Sequence, residues 1–294
     1  MTGLFKQLRD HGVDILTYRM IGIERIESFN SKRKLSFNPT IINLFQPVVQ
    51  DIHIASIFRS RQVSLPSIAI EGQPRLLEIL YRPQEAVPPT SFYNSCDSIS
   101  LIELTLLQLS DALMNALKEK ATMFFFKVEY RILHAVEEAL IYFSNIFSSY
   151  NISLYIEISH CPIIDNNITI NSLVRLKEHD INLTVDNFLW QGGDWRKRYL
   201  SSGIFSCVKF GAPPSSQLEI NDFKDCVLSL QEKYSLTTIV SKIETKKQHD
   251  IALSSGSWAI QGFYYSKPRA VKLMDLYSFH TEKPQSNPHG LIGP

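Results

Sequence analysis

The sequence predicts an α/β protein with a parallel sheet and helices outside it. Three observations predict this. Short β-branched and aromatic runs, such as Met123 to Val128 and Leu236 to Val240, have the length and content of buried strands. Longer segments between such runs carry apolar residues at steps of three and four, the repeat of one helix face. The two kinds of segment alternate along most of the chain, as β-α units do. An open doubly wound sheet and a closed barrel both satisfy this alternation. The 294 residues also suit a single α/β barrel, which takes roughly 250.

Composition narrows the functional classes. The apolar fraction of 44% and charged fraction of 20% are those of an ordinary globular chain. The net charge of +1 gives no field that would steer the protein to nucleic acid or to a membrane surface. With no recognisable helix-turn-helix either, direct DNA binding is not expected. No apolar run reaches the ~20 residues that span a bilayer, and no leader pattern opens the chain. The four cysteines, Cys96, Cys161, Cys207 and Cys226, form no CxxC pair. They read as reduced thiols of a cytoplasmic protein. The eight histidines show neither HxH nor HExxH spacing, so each reads as an ordinary polar residue.

Taken in order, residues 1–38 form an N-terminal extension, with a helix expected from Leu4 to Leu16 and a solvated basic run at Ser31-Lys32-Arg33-Lys34. Ile42 to Val49 is a strand whose Pro47 argues for an edge, an end or an irregular first strand. Residues 51–71 read as an inserted loop or hairpin. Leu76 to Arg82 is a strand that turns Glu78 to the face opposite Leu77. Ser98 to Lys120 is a helix, capped by Asp97 or Ser98, with Ile102, Leu106, Leu109, Leu113 and Leu117 on one face. Strands follow at Met123 to Val128, Ile152 to Ile158, Asn182 to Asp186 and Ile204 to Phe210. Helices follow at Arg131 to Phe147, Ile168 to His179 and Leu218 to Lys233. Gln191-Gly192-Gly193-Asp194 is a loop. Leu236 to Val240 is a strand, Thr245 caps a helix through Leu253, Gly256 ends it, and Trp258 to Ile260 is the last strand. A short helix near Val271 to Tyr277 and a loose tail complete residues 271–294.

Several strand ends carry a family resemblance. Glu244-Thr245, Gln248, Gly256, Gln261-Gly262, Tyr264 and Lys267-Pro268 resemble the C-terminal signature of EAL domains, the bacterial phosphodiesterases of cyclic-di-GMP. Phe45-Gln46-Pro47-Val48-Val49 is similar to their opening Tyr-Gln-Pro-Ile-Val. Leu76 to Arg82 resembles Glu-Ala-Leu-Leu-Arg, with Glu78 as the acid and Arg82 as the phosphate-facing base. Glu157 matches the metal-binding acid of Leu-Val-Leu-Glu-Ile-Thr-Glu, with His160 in place of the last Glu. Asp186-Asn187-Phe188 resembles Asp-Asp-Phe-Gly, and Lys209 matches the Lys of Leu-Lys-Ile-Asp. The resemblance spans residues 42–268 and implies a (β/α)8 TIM-like barrel of the EAL type over residues 39–270, with an irregular or antiparallel first strand.

It also implies which chemistry to look for. EAL phosphodiesterases use two divalent cations, magnesium or manganese, to activate water and stabilise the leaving oxygen. Hard cations need oxygen ligands converging from several strands. By this resemblance Glu78, Glu129, Glu157 and Asp186 are the candidate metal ligands, with Glu129 at the Asn of the family's third strand. Glu78, Glu157, Asp186, Lys209 and Glu244 are vestiges of the catalytic set, and Gln46, Arg82 and Gln261 are candidate phosphate or guanine contacts. The second Asp of the pair is Asn187, the Asp after Lys209 is Gly211, and the first Glu of the late motif is Ser241. The expectation is an inactive EAL-like regulator that binds another protein, with no cofactor and Mg or Mn as the ion a residual site would take. The alternatives are a cyclic-di-GMP receptor without turnover and a weak phosphodiesterase. Read without the family, Glu157, Asp186 and Lys209 also suit a buried ion network that satisfies itself.

Overall fold

The computed structural model describes residues 45–60, 74–83, 88–96, 98–159 and 167–271. Strands β1 (Phe45–Ile54), β2 (Leu76–Pro83), β3 (Met123–Val128), β4 (Ser153–Ile158), β5 (Asn182–Phe188), β6 (Cys207–Phe210), β7 (Thr237–Val240) and β8 (Ala259–Ile260) form one sheet. β2 through β8 pair in chain order, each parallel to the next. β1 pairs antiparallel with β2 on one side and with β8 on the other, which closes the sheet into a barrel. A two-residue strand, β9 (Arg269–Ala270), adds antiparallel to β1.

The helices are α1 (Ala55–Ser60), α2 (Pro89–Ser95), α3 (Ser98–Lys118), α4 (Leu133–Ser149), α5 (Asn167–Glu178), α6 (Gln217–Tyr234) and α7 (Lys246–Ser254). They cover the outer faces of the strands. Phe124, Phe126, Val128, Ile156, Ile158, Leu183 and Val185 meet Leu109, Leu113, Leu140 and Phe147 in the larger core. The strands read as near-continuous apolar runs because both faces are buried, one by helices and one by the barrel interior. α7 shows how local sequence sets an element. The Thr245 side chain accepts from the Gln248 amide while the Gln248 side chain accepts from the Thr245 amide, a full capping box.

Several expectations shift. The loop or hairpin expected over 51–71 is not found at 51–60, where residues 51–54 continue β1 and 55–60 form α1, and 61–71 lie outside the described residues. The helix expected from Arg131 begins as a 3-10 turn, Tyr130–Ile132, before α4. Besides α1, three elements were not anticipated: α2, which opens on Pro89, a 3-10 segment, Trp195–Ser202, capped by Asp194, and β9. The helix at Leu4 to Leu16, the basic run at 31–34, the Asp97 cap, His160, Cys161 and nearly all of the segment from Val271 to Tyr277 lie outside the described residues. Among the described residues no helix is long and apolar enough to cross a membrane.

Inside the barrel the side chains form two layers of opposite character. Ile52, Leu76, Phe125, Cys207, Ile239 and Ala259 make a small apolar core of their own, with Phe125 stacked on Tyr155 at 4.7 Å between ring centroids. Alternate residues of a strand share a face, so two residues toward the C-terminal end of each parallel strand brings the next inward layer. That step leads from Leu76 to Glu78, from Phe125 to Lys127, from Tyr155 to Glu157, from Cys207 to Lys209, from Ile239 to Ser241 and from Ala259 to Gln261. In antiparallel β1 it leads backwards, from Ile52 to Gln50, which pairs with Glu78. An apolar plug therefore supports a polar floor at the C-terminal mouth.

Candidate functional site

The polar floor is wired around Lys209. Its Nζ lies 2.8 Å from Glu78 Oε2 and 2.9 Å from Glu157 Oε1. Burial disfavours the ammonium, but the charges of Glu157 and Glu78 outweigh it and hold Lys209 above the ordinary lysine value. Glu157 is fully buried, and burial together with the Glu78 charge pushes its carboxyl well up despite Lys209. Glu157 Oε2 has no hydrogen-bond partner. The Gln261 amide donates to Glu78 Oε2 at 2.6 Å and to Gln50 Oε1 at 3.4 Å.

A second lysine completes the floor. Lys127 pairs in register with Glu157 across β3 and β4, and its Nζ lies 3.1 Å from Asp186 Oδ2. Burial works against ionising Asp186, but Lys127 and Lys209 hold its carboxyl below the ordinary value. A third lysine, Lys242, stands at the rim with φ of 57° and donates to Asn187 Oδ1 at 2.9 Å. Asn187 lies within an irregularity in the pairing of β5 with β6, between Val185 and Phe188. Gly211 makes room for it: a Cβ there would lie 3.1 Å from Asn187 Oδ1. Ser241 is turned onto the chain itself, its Oγ donating to the Phe210 carbonyl at 2.6 Å.

The expected site residues therefore divide. Glu78, Glu157, Asp186, Lys209 and Gln261 come together. Gln261 is buried and engaged with Glu78, not open at the mouth. Gln46 and Arg82 are both exposed, and they face each other in register four residues beyond the Gln50–Glu78 pair. Glu129 does not join the floor. β3 ends at Val128, and Glu129 stands at the N-terminal end of the 3-10 turn without a side-chain capping bond. The inward position at the end of β3 is Lys127. Glu244 is exposed and meets Gln248 through its backbone amide.

Besides Gln50 and Lys242, sequence reasoning missed three residues that shape the site. Lys127 was visible as the lone charge in an apolar strand, in phase with Phe125. Asp194 and Arg196 had no sequence signal of burial, yet both side chains are inaccessible to solvent. Arg196 Nε and Nη2 donate to the two Asp194 oxygens at 2.8 and 2.7 Å, while Nη1 donates to the carbonyls of Ile158 and Asp186. The loop that contains Gly192-Gly193-Asp194 is thus an anchor that ties the mouth ends of β4 and β5.

The floor does not fit a pair of divalent ions. Such a pair needs several oxygen ligands with a net negative charge. Here the carboxylates of Glu78, Glu157 and Asp186 already face the ammonium groups of Lys127 and Lys209, and Asn187 and Ser241 are engaged elsewhere. Among the described residues no group of three or more His, Cys, Asp or Glu is placed to hold a metal ion.

No protein-family model matches the sequence, and no curated protein matches it. Solved structures do match. The chain is similar to the PaMucR phosphodiesterase in a c-di-GMP complex, at 15% identity and a TM-score of 0.61, covering 78% of this chain and 98% of that one. It is similar to the FimX EAL domain from Pseudomonas aeruginosa bound to c-di-GMP, at 14% identity and a TM-score of 0.58, covering 87% and 96%. It is also similar to Klebsiella pneumoniae BlrP1 in a manganese and c-di-GMP complex, at 16% identity and a TM-score of 0.57, covering 77% and 56%. The fold is that of EAL domains, a closed mixed barrel with an antiparallel first strand.

Proposed function

We propose that this chain is a non-hydrolysing regulatory barrel of the EAL fold, which acts in a bacterial cytoplasm by binding another protein in cyclic-di-GMP-related signalling or gene regulation. The observation that carries this reading is the internal pairing of the polar floor. Lys209 and Lys127 pair with the three carboxylates, Asn187 accepts from Lys242, and Ser241 is bound to Phe210. Two-ion hydrolysis needs those groups free to hold cations. The placement of exposed apolar side chains supports a protein partner. Ile168, Leu189, Leu218 and Phe263 all follow the C-terminal ends of strands, in loops or first helical turns on the mouth side.

A second reading, a cyclic-di-GMP receptor without turnover, is favoured by the accessible cations at that mouth. Arg82 and Lys242 are exposed, and the Lys127 side chain is 42% exposed. Cationic side chains bind phosphate oxygens without metals, and similar structures hold c-di-GMP.

The test is incubation of the purified full chain with cyclic-di-GMP and manganese, with products separated by chromatography. No linear dinucleotide is expected above the protein-free control. Steady manganese-dependent cleavage would sink the proposal and establish a weak phosphodiesterase. Calorimetry with cyclic-di-GMP in chelator then separates the two remaining readings: micromolar binding establishes the receptor, and no binding leaves the protein partner.

A further inference from the structure

We propose that Lys127 is a resident counterion that closes a divalent-cation site, and that neutralising this one side chain opens a site for a single ion on Glu157 and Asp186. The acidic groups alone would not carry this. The added observation is the Oε2 atom of Glu157, wholly buried within the floor and without a hydrogen-bond partner. An orphaned carboxylate oxygen in a buried site costs free energy unless a cation or a proton meets it. Lys209 reaches only the other oxygen, Oε1.

Position and charge single out Lys127. It faces Glu157 on β4 in register from β3 and contacts Asp186 on β5, so it reaches the carboxylates of two successive strands. The floor contains three carboxylates, Glu78, Glu157 and Asp186, against two ammonium groups. Removing Lys209 would strand two buried acids, whereas Lys127 can be replaced with less disturbance because its side chain is 42% exposed. Its loss leaves the floor with two more negative than positive groups, all of them oxygen donors of the kind hard cations require. The opening left by a partly exposed side chain also gives a hydrated ion a way in. Glu78 is held by Lys209 and Gln261, so the opened site has two carboxylates and solvent as its ligands. That suits one ion and not a catalytic pair.

The inference concerns metal uptake and does not depend on what the barrel recognises. The probe is manganese alone, titrated into the full chain without nucleotide and followed by the electron paramagnetic resonance of the free ion. The natural chain is expected to leave the ion free. Lys127→Ala is expected to take up one equivalent at least about tenfold more tightly, and Lys127→Ala with Asp186→Asn is expected to lose that gain. Lys127→Gln, which keeps length and a hydrogen-bond donor, serves as a second variant should the alanine form fail to fold, and is expected to show the same gain. Uptake by the natural chain as tight as by the variants overturns the proposal. So does the absence of any gain in a folded variant. A natural chain that cleaves cyclic-di-GMP would count against the proposed function, whereas an inert chain whose folded variants gain no manganese affinity would count against Lys127 as counterion alone.

Discussion

Lys209 shows how one residue can decide whether the polar floor is stable. It is 3% exposed and contacts two carboxylates that are themselves buried. Taking an ion pair out of water gains little, but removing one partner leaves an uncompensated charge. Lys209→Met should therefore lower stability by about 3–5 kcal/mol. Adding Glu157→Gln should return part of that loss, because a neutral amide needs no counter-charge. Urea unfolding followed by circular dichroism measures both, and a Lys209→Met form as stable as the natural chain would refute the pairing. At this scale the sequence exposed Glu78, Glu157, Asp186 and Lys209, since each stands at a strand end within a recognisable motif. It did not expose their self-pairing as distinct from a ligand site, because that depends on Lys127. A single lysine in a strand reads as solvent-facing until its phase with Phe125 and Glu157 is fixed by the barrel.

Among the elements, the loop after β5 is tied into the mouth by one buried ion pair, Arg196 with Asp194. The guanidinium of Arg196 crosses from Asp194 to carbonyls on β4 and β5, which gives these strand-end acceptors a charged donor. Burial alone would raise the Asp194 carboxyl. Arg196, with the backbone amides of Leu189 and Arg196, instead holds it below the ordinary value. A carboxyl depressed in the folded state stabilises above its unfolded pKa of about 3.9. That contribution is lost as pH falls through the folded value. Asp194→Asn should therefore lower the melting temperature at neutral pH, and the gap to the natural chain should close as pH falls below about 4. A gap that stays constant over that fall would mean the loss is one of shape and not of charge. The sequence showed a turn here, from its paired glycines. It gave no sign of the anchor, because contact between Arg196 and Ile158 depends on the neighbouring strand.

Closure of the whole barrel rests on a thin seam. β8 has two residues and meets β7 and β1 through few ladder bonds. The turn after it adds the rest: the Ile243 amide donates to the Gln261 carbonyl at 3.1 Å, and the Tyr264 amide to the Ile243 carbonyl at 2.9 Å. These bonds require the chain at Gly262 to touch the chain at Ile243. A Cβ on Gly262 would lie 2.1 Å from the Ile243 oxygen and 2.3 Å from its nitrogen, so the backbones would have to part. The repeating strands and helices were legible because both faces of each strand are apolar and each helix has one apolar stripe. The return of β1 to β8 left no periodic trace, because it pairs the chain ends, and was expected only from the family resemblance, which implied a barrel with an irregular or antiparallel first strand, and from Pro47. The addition of β9 was not expected at all. Gly262→Ala should cost about 3 kcal/mol or more through overpacking against backbone. For a domain of this size that lowers the melting temperature by roughly 6–12 °C. Gly203→Ala is the control. Its φ of 74° is left-handed, but nothing lies within 4 Å of the added carbon. The cost there should be about 1 kcal/mol, that of backbone strain alone. Equal melting temperatures for the two variants would mean that the contact between Gly262 and Ile243 does not hold the barrel shut.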